Sequence, residues 1–325
     1  MPLRLFLSSG DLIADRRFEF ARDLQLKGDL AAAADLLDQT VELAPRFVSA
    51  WFTLAEIRLE LGERDVAIAA FRRARDADPQ DRHGASLRLM RLGAEALSDM
   101  PKAYVQTLFD QYAPRFDEAL TAGLAYRGPQ LLCDRIAMLR GPAMRFARML
   151  DLGCGTGLAG AAFRAHCDVL AGVDLSGNMI ETARRKDIYD ELAVGDMTEW
   201  LASQPENSAD LVIAADAFVY LADLGPICRA AGRALTPDGL FAFTVETHAG
   251  PGAVLSEKLR YAHSSEYVRD TVEIGKLALL IFESVSTRTE NNVPVSGLLI
   301  VAGPARSSLV PRTSERSERR SGVQG

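Results

Sequence analysis

The stretch Asp151-Leu152-Gly153-Cys154-Gly155-Thr156-Gly157 decides how this chain is read. It describes a strand that stops in a glycine-rich turn and opens a helix. Met149 and Leu150 lead into it, and with Leu152 they predict a buried parallel strand. Glycines allow backbone conformations closed to other residues and let the chain pass close to a bound molecule. Leu158 to His166 continue as an alanine-rich helix whose first amides face whatever the turn receives.

Taken alone the turn is ambiguous, because Gly155, Gly157 and Gly160 also satisfy the dinucleotide pattern G-x-G-x-x-G. The neighbouring segments arbitrate. Asp151 ends the first strand, which a dinucleotide turn does not require. Asp174 closes a second apolar run, Val169-Leu170-Ala171-Gly172-Val173, where a carboxylate can accept both hydroxyls of a ribose. Further strand ends stand at Gly195-Asp196 and Ala214-Ala215-Asp216, and the turn Leu235-Thr236-Pro237-Asp238-Gly239 leads into a fifth run, Leu240 to Val245.

With these motifs in order, residues from about 105 to 303 resemble a class I S-adenosylmethionine-dependent methyltransferase. The resemblance implies a Rossmann-like, seven-stranded, doubly wound α/β sheet that binds S-adenosylmethionine. It places Gly153, Gly155 and Gly157 at the methionine end of the cofactor, Asp174 at the ribose and Asp196 at the adenine amino group. Asp151, Leu175, Met179, Met197 and Ala214 complete the cofactor contacts it implies within the sheet. Two other readings stay open: an interaction protein whose domain binds the cofactor without turnover and, remotely, an NAD-dependent oxidoreductase.

The first ninety residues repeat with a period of 34: aligning Pro45 with Pro79 pairs Gly28 with Gly62, Ala21 with Ala55, Ala33 with Ala67, Leu37 with Phe71 and Phe20 with Leu54. Small residues let the two helices of a unit approach, large ones fill the groove between them, and the glycines turn the chain. That pattern resembles tetratricopeptide repeats. Arg17 and Thr40 depart from it, so the first repeat is expected to pack less well at its edge. Two repeats bury their apolar faces only with help, and a third helix over Arg82 to Ala96 is expected to cap the stack and to be able to dock on the next domain. The expected division is therefore 1–95 for the all-α repeats, 96–305 for the transferase and 306–325 for a disordered tail rich in Ser and Arg.

Charge and composition narrow the partners. The formal charge of −7 divides into −2 over 1–95, −8 over 96–305 and +3 over the last twenty residues. An acidic transferase segment argues against a nucleic-acid backbone as partner. The expected partners are a small-molecule or protein methyl acceptor and, through the repeats, a protein or a second copy. No apolar run reaches membrane-spanning length, Met1 to Leu7 is too short for a signal peptide, and a cytoplasmic protein is the default. Cys133, Cys154, Cys167 and Cys228 have no metal-site or disulfide spacing, so no metal is expected.

Helices are expected over Ala103 to Tyr112, Arg115 to Ala122 and Pro129 to Leu139, with Tyr112 and Phe116 in a segment that can cover the cofactor's sulfonium or adenine. After the fifth strand come a helix over Ser264 to Lys276, a strand over Leu277 to Arg288, a turn at Asn291-Asn292 and a last strand over Val295 to Ala302. Catalytic candidates sit at carboxyl strand ends. They are Tyr220 after the fourth strand, Glu246 and His248 after the fifth, and Tyr261 and His263 in the next connection. A histidine is the natural general base, so His248, His263 and Tyr220 are the expected catalytic residues, with Asp216 open as an acid or base or, as the resemblance implies, as a helix cap or cofactor contact.

Overall fold

The computed structural model describes residues 5–305; the tail expected to be disordered, 306–325, lies outside the described residues. Helices α1 (Leu12–Leu26), α2 (Leu30–Leu43), α3 (Val48–Glu60), α4 (Arg64–Ala77) and α5 (Ala85–Arg91) come first. Asp11 starts α1 by accepting hydrogen bonds from the Ile13 and Ala14 amides at 2.8 and 3.0 Å. Gly28 and Gly62 turn each helix pair with φ of +84° and +82°, where nothing stands within 4 Å of a side chain's first atom. Backbone conformation, not space, selects glycine there.

The 34-residue pairs Ala21/Ala55, Ala33/Ala67 and Leu37/Phe71 are all fully buried. One pair does not hold. Leu54 is buried but Phe20 is 58 % exposed, because α1 turns Phe18 inward instead, 5.2 Å from the Phe47 ring. Thr40 is buried without cost in hydrogen bonding, since its hydroxyl donates to the Leu36 carbonyl at 2.6 Å. The capping helix is shorter than expected, ending near Gly93, whose φ of +64° stops it.

Helix α6 (Lys102–Tyr112) is followed by a single turn, α7 (Phe116–Glu118), and a π turn over Ala119–Gly123, where one continuous helix was expected; α8 (Gly128–Arg140) then leads to the sheet. The alternation runs β1 (Phe146–Leu152), α9 (Leu158–Phe163), β2 (Cys167–Asp174), α10 (Gly177–Arg185), β3 (Glu191–Val194), α11 (Met197–Ser203), β4 (Ala209–Ala214), α12 (Gly225–Ala234) and β5 (Leu235–Thr247). Short strands β6 (Ala253–Leu255) and β7 (Tyr261–His263) precede α13 (Ser265–Ile274) and β8 (Leu277–Val285). A hairpin of β9 (Thr289–Glu290) and β10 (Val293–Pro294), turned by Asn291 and Asn292 at positive φ, connects to β11 (Gly297–Pro304).

Strand order is β3-β2-β1-β4-β5-β11-β8, with β11 antiparallel to both neighbours, β7 beside the end of β5, and β6 on β7. Asp151 stands opposite Gly172 of β2 and Ile213 of β4, so three carboxyl ends meet where the order reverses. That reversal makes a crevice in an open parallel sheet. Alternate residues of the strands feed two cores: Leu150, Val212 and Phe243 on one face, Met149, Leu211 and Leu299 on the other.

A further apolar cluster joins the two parts of the chain. Leu87 of α5 packs with Met100, Val105, Leu259 and Tyr261, and the Tyr261 hydroxyl donates to the Ser98 carbonyl at 2.5 Å. The last helix of the repeats therefore docks directly on the connection after β5. No helix among the described residues is long and apolar enough to cross a membrane.

Candidate functional site

A cavity of about 950 Å³ opens at the crevice, walled by the glycine turn, the ends of β1, β2 and β4, and α6. Gly153, Gly155 and Gly157 all have positive φ, at +63°, +54° and +91°. Their reasons differ. A Cβ on Gly153 would stand 2.6 Å from the Ala217 Cβ, whereas one on Gly155 would meet only the Phe116 ring, at 3.7 Å. Gly153 makes room for the protein, and Gly155 faces open space that a ligand can use. Gly157 does not line the cavity: it begins α9 and abuts the Tyr189 ring.

Each oxygen of Asp174 accepts one main-chain amide, Oδ2 from Gly155 at 2.9 Å and Oδ1 from Ser176 at 2.8 Å. A carboxylate oxygen has a second lone pair, so both remain able to accept from a ligand. Burial pushes its pKa up to about 6. Asp151 is 1 % exposed at the floor and accepts from the Tyr189 hydroxyl at 2.6 Å. Burial raises its pKa to about 7; the Tyr189 hydrogen bond opposes that rise and the Asp174 charge adds to it.

Tyr189 was not anticipated from the sequence. Its ring fills space that glycines leave, for a Cβ on Gly160 would lie 2.3 Å from its hydroxyl and one on Gly172 2.8 Å from its ring. The third glycine of the apparent dinucleotide pattern thus serves a tyrosine that braces Asp151. Asp196 caps α11 by accepting from the Thr198 and Glu199 amides, both at 2.9 Å, while its other oxygen lies 3.2 Å from Lys102 of α6. Leu175 and Met197 line the cavity as expected. Met179 and Ala214 do not: both are fully buried in the protein, and Ala215 supplies the wall.

The covering segment brings Tyr112 and Phe116 to the cavity, their rings edge-on at 5.6 Å, and Phe109 lies 5.2 Å from Tyr220. Two carboxylates fasten it. Asp110 accepts from the Ser176 hydroxyl at 2.5 Å, and Asp117 pairs with Lys186 at 2.6 Å and accepts from Thr156 of the glycine turn. Cys154 lines the same wall, and burial pushes its thiol well above the ordinary range.

At the outer end, Tyr220 lines the cavity and makes no hydrogen bond through its hydroxyl among the described residues; burial raises its pKa to about 12. Beside it lies an ion cluster. Arg288 reaches Asp216 at 2.8 Å, Glu290 at 3.2 Å and also Glu246, while Arg260 pairs with Glu246 at 2.7 Å and with Glu290, which also holds Lys258. Asp216, at φ +55°, further accepts from the Thr244 and Thr287 hydroxyls at 2.6 and 2.7 Å. It anchors Arg288 and touches no part of the cofactor turn through these bonds.

Neither late histidine lines this cavity. His263 is fully buried, stacked on Tyr267, bonded to the Leu221 carbonyl at 3.0 Å, and burial lowers its pKa to about 4. His248 uses both ring nitrogens within its own loop, 3.1 Å from the Gly252 carbonyl and 3.0 Å from the Gly250 amide. Neither has a place in the proposed chemistry.

A glycine cradle, carboxylates at three successive strand ends and an aromatic cover define a class: an open α/β domain with an acid-lined ligand crevice at the carboxyl ends of its strands. Comparison with known proteins agrees. The family described as "Methyltransferase domain" matches residues 150–243, and "Tetratricopeptide repeat" matches residues 24–89. Human Methyltransferase-like protein 27 is 32 % identical over 195 residues, covering 58 % of this chain and 75 % of that protein. Malonyl-[acyl-carrier protein] O-methyltransferase of Enterobacter lignolyticus is 38 % identical over 110 residues, covering 33 % and 42 %. The crystal structure of the [4+2]-cyclase SpnF shares the fold at 17 % identity and a TM-score of 0.51, over 65 % of this chain and 99 % of that one. The chain belongs to the S-adenosylmethionine-dependent methyltransferase family and carries tetratricopeptide repeats ahead of its transferase domain.

The residues present fit that cofactor. It offers hydroxyl and amine donors and a net positive charge, and the wall opposes them with Asp151, Asp174 and Asp196. Gly155 leaves the space beside the turn that a side chain would fill. An NAD-dependent oxidoreductase is set aside by the family match.

Proposed function

We propose that the chain methylates an acceptor carboxylate, free or delivered by a partner, at the Tyr220 end of the cavity, while the repeats dock the partner. The division at 95/96 separates these roles. One observation carries the reading: a single cavity joins Gly155, Asp174 and Asp196 to Tyr220, Lys258 and Arg260. Gly155 and Asp151 hold the methionine end, Asp174 the ribose, Asp196 the adenine amine, and Tyr112 with Phe116 excludes water above. Bound there, the cofactor supplies a methyl group already activated on a sulfonium.

The chain's own work is alignment and desolvation. Tyr220 stays protonated at neutral pH and so orients the acceptor as a hydrogen-bond donor, not as a base. Asp216 has both oxygens engaged, and among the described residues no histidine lines the cavity. An acceptor that arrives ionised needs no base, and Arg260 and Lys258 line that end of the cavity, where a carboxylate would compete with their present partners Glu246 and Glu290. The relative named a malonyl-carrier O-methyltransferase supports that choice. The test supplies labelled cofactor with a panel of short dicarboxylates, alcohols and amines. Methyl esters are the expected products, and methylation confined to nitrogen or carbon overturns the reading. The docking role is tested by comparing a protein-carried with a free acceptor: Glu56 of α3, paired with Arg88 at 2.9 Å beside the smaller cavity on the repeats, is replaced by lysine, and Glu56→Lys should raise KM for the carried one only.

A further inference from the structure

The inner face of the repeats already holds an extended stretch of the chain. Residues 5–10 form neither helix nor strand, yet they lie across α1, α3 and the loop before α5. The buried Ser49 hydroxyl accepts from the Leu7 amide at 2.9 Å and faces the Leu7 carbonyl at 3.2 Å, with the His83 ring 3.1 Å away. These contacts read the main chain of Leu7, whatever its side chain. The side chains add apolar contact: Leu7 packs on the cluster of Val48, Ala55 and Leu89, and Phe6 lies 5.4 Å from Phe18 and 6.1 Å from Phe47. Phe6 nonetheless remains 44 % exposed.

Upstream, Leu5 forms one wall of a second cavity of about 270 Å³, between Phe52 of α3, Arg88 of α5 and the outer side of α6. Tyr104 and Leu108 of α6 line both this cavity and the cofactor cavity. A molecule seated on the inner face of the repeats would therefore touch the helix that walls the transfer site.

Resting on the proposed docking role of the repeats, we infer that this face is a peptide groove held closed by residues 5–9. Its partner is an extended peptide bearing two adjacent apolar residues, which takes the place of Phe6 and Leu7. One Ser49 hydroxyl and one apolar floor cannot serve two strands, so the partner and the chain's own segment exclude each other. An attached segment competes at an effective concentration in the millimolar range, so a free peptide binds well only once that segment is released.

The test uses the full chain and a fluorescein-labelled peptide of the sequence of residues 4–10, followed by fluorescence anisotropy. Phe6→Asp with Leu7→Asp should release the segment and tighten peptide binding at least tenfold over the unsubstituted chain. Adding Ser49→Ala to that variant should weaken it again. Equal binding to released and unsubstituted chains, or none to a released chain with intact helical circular dichroism, overturns the inference. If the aspartates prevent folding, Phe6→Ala with Leu7→Ala replaces them. Unfolding of that pair as well overturns it too, since the segment is then part of the repeat core. The docking role is judged separately by the carried-acceptor KM, so the two failures are told apart.

Discussion

Replacing Asp174 by asparagine tests the cofactor site at the residue whose geometry is most fully determined. Both carboxylate oxygens are held by amides, at 2.9 Å from Gly155 and 2.8 Å from Ser176, leaving one lone pair on each for the ribose hydroxyls. Asparagine keeps one oxygen and turns an NH₂ toward an amide that needs an acceptor. At least one charged acceptor is lost to the ligand, and such a hydrogen bond is worth about 1.5–3 kcal/mol. Affinity for S-adenosylhomocysteine should fall roughly ten- to hundredfold, measured by isothermal titration calorimetry with circular dichroism confirming the fold. A folded variant within twofold of the parent refutes the assignment. The same site predicts a pH dependence. The carboxyl of Asp174 titrates near 6 when folded against an ordinary 3.8, so its contribution to stability is complete below about pH 4 and lost as pH rises through about 6. The ligand's hydroxyls need the ionised form, so affinity should rise between pH 5 and 7 with release of protons, and Asp151, near 7, acts in the same sense. A flat affinity profile from pH 5 to 8 contradicts the argument.

Gly153→Ala, whose Cβ collides with Ala217 at 2.6 Å, should lower the melting temperature, whereas Gly155→Ala, with 3.7 Å to Phe116, should cost cofactor affinity more than stability; calorimetry and thermal melts that rank them the other way refute it. Tyr189→Phe removes the donor to Asp151 and leaves a buried carboxylate short of a partner, a cost of about 1–3 kcal/mol. It should therefore destabilise more at pH 8, where Asp151 is ionised, than at pH 5, and equal losses would sink the idea. A chain beginning near Ser98 strips Leu87 from Met100, Val105, Leu259 and Tyr261. Burying one leucine contributes about 1.5–3 kcal/mol, so light scattering should show association or a lowered melt; a monodisperse fragment as stable as the full chain would show that this joint carries little.

Much of this protein could be read from its sequence, because local rules set it. The positive-φ glycines of the turn, the acids ending successive strands and the 34-residue spacing of small and large residues are each satisfied within one element and its neighbour. The glycine turn, the acids Asp174 and Asp196 at strand ends and the alternation of strands with helices followed from them, as did the helix pairs of the repeats. Phe20 misled for a related reason: a helix's rotation against its partner is set by packing, and α1 buries Phe18 two residues earlier.

Other features were decided by contacts between residues far apart in the chain. Tyr189 reaches Asp151 only because Gly157 and Gly160 at the start of α9 and Gly172 of β2 leave one ring-shaped space. Arg288 and Arg260 meet Asp216, Glu246 and Glu290 only when β4, β5, β7 and β9 converge. The two late histidines looked like bases because they come after strands at the ligand edge. Side-chain direction depends on the full packing around each ring, and it turned one into the core and the other into its own loop. The sequence determined the strands and the acids at their ends through periodicity and turn chemistry, while tertiary contact alone settled which side chains face the cavity.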